Sequence, residues 1–179
     1  MQIGTKSLLF GVHQVFIHPI VVFLAWKHLY GWPNWKEMIC IIIHDWGYWG
    51  KPNMNGKEGE RHPIWAADKA YRFLDGGSSG YSLRYYRLCI YHSRHFARRA
   101  MTEPSKLCWA DKLSIGYEPW WLYLPRARLS GELFEYRKAS DKCEFVPISA
   151  THHEWFKKMR DGMVITGKTN NAEAIPYNR

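Results

Sequence analysis

Residues Ile43-His44-Asp45-Trp46-Gly47 set an imidazole beside a carboxylate at the end of an apolar run, Met38 to Ile43. Further metal-capable side chains stand upstream at His18 and downstream at His62, His92 and Asp111. Mixed imidazole and carboxylate donors suit Mn, Fe, Co or Zn, with Mg less at ease among several histidines. A divalent ion held this way lowers the pKa of its water and neutralises phosphoryl oxygens. Two ions about 3.5–4 Å apart can clamp both the attacking and the leaving oxygen of a phosphate ester. The candidate ligands come from five separate segments of the chain, so this chemistry requires helices that bring them to one point.

The patterning supplies such helices. An amphipathic piece over roughly Ser7 to Phe16 is followed by a helix from Pro19 to Tyr30, which Gly31 stops and Pro33 prevents from continuing. Asn34 with Glu37 three residues on forms a capping-box start for a helix running to about Asp45. His18 then stands at the front of one helix and His44-Asp45 at the back of the next, and an antiparallel hairpin brings those ends to the same side. Residues 46–61 read as a Gly/Asn/Pro-rich loop, and a helix from His62 or Pro63 to about Leu74 ends at Gly76-Gly77. Ser78 to Gly80 reads as a flexible link. A basic helix over about Ser82 to Arg94 places Leu88, Tyr91 and His92 at helical spacing, and Pro104-Ser105 begins another through Asp111 to Leu113. Pro119 and Pro125 are expected to confine a Trp-rich turn before a helix from about Arg126 to Lys138, with 139–150 irregular. Thr151 caps a last helix to about Met163. No strand pattern emerges. The expected architecture is an all-α single-domain bundle over 1–161, with 162–179 a tail or an arm of a homo-oligomer.

Composition narrows the classes. The chain has 179 residues, 46% of them hydrophobic and 16% aromatic, which is globular and not disordered. Ten tryptophans suggest thick packing more than a stacking surface. A net charge of +9 favours anionic partners. Cys40, Cys89, Cys108 and Cys143 lack CxxC spacing and read as thiols in a reducing compartment. The apolar stretches fall short of a membrane span and no cleavable leader is evident, so a cytoplasmic protein with no membrane partner is expected.

The order H…HD…D, with Asp111 inside Trp109-Ala110-Asp111-Lys112-Leu113, resembles the HD-domain superfamily of metal-dependent phosphohydrolases. Ile17-His18-Pro19-Ile20 resembles the first-His segment of its (p)ppGpp-hydrolase branch. Arg61-His62-Pro63 and Ile90-Tyr91-His92 resemble the extra ligands of multi-metal members. The resemblance covers about residues 13 to 116. It implies a principal metal on His18, His44, Asp45 and Asp111, with Asp45 bridging to a second held by His62 and His92. His95, one helical turn on, is an alternative to His92. Tyr48 stands where the 5′-deoxynucleotidases carry Glu, no acidic pair follows His44-Asp45, and Tyr91-His92-Ser93 has one His and no GYP. No branch therefore lends its substrate.

For phosphate binding, Lys51 and Arg61 come first and Arg94, Arg98 and Arg99 next, since Arg offers bidentate contact and Lys a point charge. Glu58 or Glu60 is placed to assist proton transfer beside Asp45 and Lys51. Trp49, with Trp46 and Tyr48, is a candidate stacking platform for a base. His13, His28 and the His152-His153 pair read as ordinary core or solvated histidines. The implied activity is hydrolysis of a nucleotide phosphate ester, with nucleoside mono- or triphosphates ahead of cyclic dinucleotides and nucleic acid third. A non-catalytic nucleotide- or nucleic-acid-binding module and an HD-type di-iron oxygenase are the rival classes.

Overall fold

The structure is a computed structural model that describes residues 1–77 and 83–170. Among these residues it is all-α, with ten helices and no strand. They are α1 (Ile3–Phe10), α2 (Ile17–Tyr30), α3 (Trp35–Ile43), α4 (Pro63–Phe73), α5 (Arg84–Ile90), α6 (Arg94–Arg99), α7 (Lys106–Ser114), α8 (Trp120–Ser130), α9 (Glu132–Lys142) and α10 (His152–Thr169). No helix among the described residues is long and apolar enough to cross a membrane. The expected link over Ser78 to Gly80 lies outside the described residues, as does the chain from residue 171.

Local chemistry accounts for the elements that carry the site. In α2 the buried positions His18, Val21, Val22, Ala25 and Trp26 recur at helical spacing, so His18 belongs to the same inward stripe as the core residues. The α3 start is the expected capping box: the Asn34 side chain accepts from the Lys36 and Glu37 N–H groups, and the Glu37 carboxylate accepts from the Asn34 N–H. Helix α2 packs on α7, which sets His18 against Asp111, while α4 packs on α5 and brings His62 toward His92. One apolar core joins α2, α3, α4, α5 and α7 through Val22, Ile41, Ala67, Leu88 and Leu107. A second joins Val12 to α8, α9 and α10 through Ala127, Leu133, Trp155 and Phe156. Each fully buried large side chain contributes about 1.5–3 kcal/mol. An unpaired buried polar group costs roughly 2–7 kcal/mol, so these cores offset the burial of the polar cluster lying against them.

Several boundaries depart from the sequence expectations. The first helix spans Ile3–Phe10, earlier than Ser7 to Phe16, and ends at Gly11. The expected basic helix to Arg94 is two helices, α5 and α6, and His92 lies in the break between them. There its Nδ1 bonds the Cys89 carbonyl, and extended Ser93 restarts the chain. Pro125 does not break the chain but sits within α8. Its ring removes the bond that the Trp121 carbonyl would have received, and the helix continues through it to Ser130. The break falls instead at Gly131, whose φ of 92° a side chain would resist. The last helix continues past Met163 to Thr169 because Thr166 and Gly167 are buried against α7, where a Cβ on Gly167 would meet Leu113. The tryptophans also differ: Trp26, Trp109 and Trp155 are buried, but the other seven are exposed.

Candidate metal centre

His18, His44, Asp45 and Asp111 form one group whose donor atoms all lie within 4.8 Å of one another, and Asp45, His62 and His92 form another. Asp45 belongs to both. Its Oδ2 stands 3.1 Å from His18 Nε2 and 3.1 Å from His44 Nε2, while its Oδ1 stands 3.4 Å from His62 Nε2 and 3.5 Å from His92 Nε2. His18 Nε2 also lies 3.3 Å from Asp111 Oδ1. The carboxylate is thus shared edge to edge between two clusters, in the manner of a bridging ligand.

The ring nitrogens are fixed by their outer partners. His44, His62 and His92 each donate Nδ1–H to the carbonyl three residues earlier, at Ile41 (2.8 Å), Gly59 (2.8 Å) and Cys89 (2.5 Å). A carbonyl only accepts, so each Nε2 is left with a lone pair facing inward. His18 Nε2, His44 Nε2 and Asp45 Oδ2 are buried and make no hydrogen bond, although all three point into one small volume. Nitrogen and oxygen donors buried in this way could hold a cation. The set is nitrogen-rich with two carboxylates, which fits Mn, Fe, Co or Zn better than Mg or Ca.

The buried charges of the cluster act strongly on one another. Burial alone would raise the Asp45 carboxyl pKa, but the imidazoles of His44, His13 and His18 hold it well below the carboxylate range. Asp111 is likewise held low against burial, first by Lys112 and then by His18. His18 is opposed by burial yet raised from 6.5 to about 10 by the carboxylates of Asp111 and Asp45. His62 is lowered to about 4, chiefly by burial, which Asp45 counters in part and His92 reinforces. Gly47 lets the turn after the pair close on this ligand, since a Cβ there would lie 1.9 Å from the His62 carbonyl oxygen. Tyr48 stacks on the His62 ring at 3.9 Å.

The donors open on a cavity of about 280 Å³. Of the residues expected to serve substrate, Glu60 and Arg94 line it, whereas Lys51, Arg61 and Trp49 stand outside that lining. Lys51 belongs to the loop that pairs its carbonyl with the Gly4 N–H, Arg61 is exposed, and Trp49 projects outward. Glu58 caps the loop through Asn53. Trp46 stacks on Trp65 with ring centroids 6.0 Å apart and stands outside the cavity lining. His95 pairs with Glu60 at 3.3 Å, and it is His92, not His95, that belongs to the group that could hold a metal with Asp45 and His62.

Three contributors escaped the sequence reading. Lys112 lines the cavity and pairs with Asp111 at 2.6 Å. His13, expected to be ordinary, also lines it, with Nε2 3.8 Å from Asp45 Oδ2 and Nδ1 2.9 Å from Glu132 Oε1. Glu132, fully buried, accepts from Ser7 Oγ, the Val12 N–H, Ser130 Oγ and the Tyr136 hydroxyl besides. Burial would raise its pKa, but His13, Ser130 and Val12 keep it low. The placement of His13 five residues before His18 was the available hint; nothing local to Glu132 marked it. No protein-family model, curated protein or solved structure matches this chain.

Proposed function

We propose that the chain is a metal-dependent phosphohydrolase acting on a nucleotide-sized phosphate ester, with nucleoside monophosphates ahead of cyclic dinucleotides. The observation that carries this reading is the Asp45 carboxylate divided between two imidazole groups at the wall of a cavity that also carries Arg94 and Lys112. His18, His44, Asp45 and Asp111 would hold one divalent ion, and Asp45, His62 and His92 a second. Ions held there would supply Lewis-acid activation of water and of the phosphoryl group.

The chain's own residues supply the rest. Arg94 and Lys112 offer fixed positive charge to phosphoryl oxygens as charge builds on them. His13, oriented by the Glu132 carboxylate at Nδ1, presents Nε2 as an acceptor for a proton from water. Glu60, lining the cavity and paired with His95, is a second carboxylate within reach of the bound ester.

The test is phosphate release from a panel of nucleoside mono- and triphosphates, cyclic dinucleotides and oligonucleotides, with Mn, Co or Mg supplied. The expected result is metal-dependent release that Asp45→Ala abolishes in a protein that remains folded. Full turnover in that variant, or no release with any metal and substrate, would remove the proposal and favour a binding module.

A further inference from the structure

The cavity continues from the metal ligands to residues on α8, α9 and α10, elements that lie beyond the stretch carrying the His and Asp ligands. That part is walled by Tyr123, Tyr136, Ala139, Phe145, Trp155 and Met159, with Met163 beside them. Its charged lining is Glu118, and Glu118 is committed to an ion pair with buried Arg126. The basic side chains of the lining, Arg94 and Lys112, belong instead to the metal side. The cavity is therefore divided by chemistry. A phosphate is matched at one side, and a flat apolar group at the other, where rings and thioethers offer dispersion and sulfur–aromatic contacts.

We propose that the chamber between α8, α9 and α10 is the subsite for the organic half of the substrate. It selects a phosphate monoester carrying a single planar ring system, such as a nucleoside or an aryl alcohol, over aliphatic monoesters and over dinucleotides. This rests on the phosphohydrolase reading for the fate of the ester, but not for its binding. The size of the cavity points the same way: ligand sites commonly span about 300–1,000 Å³, and about 280 Å³ leaves room for one nucleotide or less. A polyphosphate tail directed into the chamber would lose hydration without meeting a free cation among the lining residues, so the phosphate must stay at the metals.

The test uses the Mn-loaded full chain and two compounds that have no ester bond to cleave, phenylphosphonate and methylphosphonate, with binding followed by calorimetry. Phenylphosphonate is expected to bind at least tenfold more tightly. Ala139→Phe, which fills the chamber, is expected to erase that preference while methylphosphonate affinity and metal content stay as in the parent. If Ala139→Phe fails to fold, Met163→Ala serves, with an expected severalfold loss confined to phenylphosphonate. Equal affinity for the two compounds, or a preference that survives the substitution, would overturn the chamber. A retained preference in a protein that hydrolyses nothing would leave the chamber standing and remove the hydrolase reading alone. The relative kcat/KM of phenyl phosphate and 5′-AMP then separates an aryl from a nucleoside source.

Discussion

His62 Nε2 and His92 Nε2 stand 3.0 Å apart, each with its Nδ1 already spent on a backbone carbonyl. Two lone pairs facing each other at that distance repel unless a cation or a proton lies between them. Burial holds the His62 pKa near 4, which disfavours the proton. A cation held between them, with the facing Asp45 Oδ1 as a third donor, would remove that repulsion.

Metal content should therefore fall in a graded way. Either His62→Ala or His92→Ala is expected to lose one of two ions and keep the other, since His18, His44, Asp45 and Asp111 remain. Asp45→Ala is expected to lose both, because its two oxygens serve the two groups separately. Elemental analysis of protein purified without chelator decides it. An Asp45→Ala variant with the full parental content would contradict the shared-carboxylate arrangement.

Stripping the metal should expose a pH dependence of stability with two arms. His18 has its folded pKa raised from 6.5 to about 10, so its contribution is complete below pH 6.5 and lost as the pH rises toward 10. His62 is the reverse case. Its pKa is lowered from 6.5 to about 4, so the fold favours the neutral ring, and stability is lost as the pH falls from 6.5 toward 4. Asp45 and Asp111, both held below their ordinary value, deepen the acid arm. The chelated protein should show its highest Tm near pH 6.5 and decline on either side, at about 2–4 °C per kcal/mol for a chain of this size. Adding metal should abolish the alkaline arm, because a ligating His18 has no proton to lose. A chelated protein with a flat Tm between pH 6.5 and 9 would contradict the His18 environment.

The Glu132 network makes a separate claim about stability. Glu132 is fully buried and satisfies donors from Ser7, Val12, His13, Ser130 and Tyr136. Removing it leaves those donors unpaired, and breaking a buried polar pair costs roughly 3–5 kcal/mol. Glu132→Ala should lose about that much in chemical denaturation, whereas His13→Ala should lose less and retain its metal. A Glu132→Ala loss below about 1 kcal/mol would mean that water replaces the carboxylate.

The sequence made some of this legible and hid the rest for physical reasons. Asn34 with Glu37 and Thr151 with Glu154 are local capping chemistry, so those starts could be read directly. The facing of His18 and the His44-Asp45 pair followed from helix order and the turn at Gly31, whereas Asp111 joined them only through the resemblance of the H…HD…D order. His13 and Glu132 could not be paired in advance, because 119 positions separate them and the packing of α1 on α8, with α9 following α8, brings them together. Pro125 misled because a proline removes one helical bond, while α8 is held by its packing on α1, α9 and α10. The end of α10 was invisible for a similar reason: the helix runs on because Thr166 and Gly167 are buried, with Gly167 against Leu113 of α7.

Phosphate recognition is where sequence order and structure part most usefully. Lys51 and Arg61 flank the His-Asp pair and the His62 ligand in the chain, yet neither lines the cavity. Arg94 follows His92 by two positions, lines the cavity and is largely buried, so its guanidinium would meet a phosphate there in a poorly solvated setting. A hydrogen bond to a charged group is worth about 1.5–3 kcal/mol, which corresponds to roughly tenfold or more in binding. Arg94→Ala should raise KM at least tenfold with metal content unchanged, and Arg94→Lys should restore only part of it because the planar fork is lost. Lys51→Ala and Arg61→Ala should stay within about twofold of the parent, the range expected when only a distant, screened charge is removed. Steady-state kinetics on one hydrolysed ester, run in parallel on the four variants, compares the two sets. A large effect at Lys51 or Arg61 with none at Arg94 would relocate the phosphate to the 46–61 loop and away from the cavity described above.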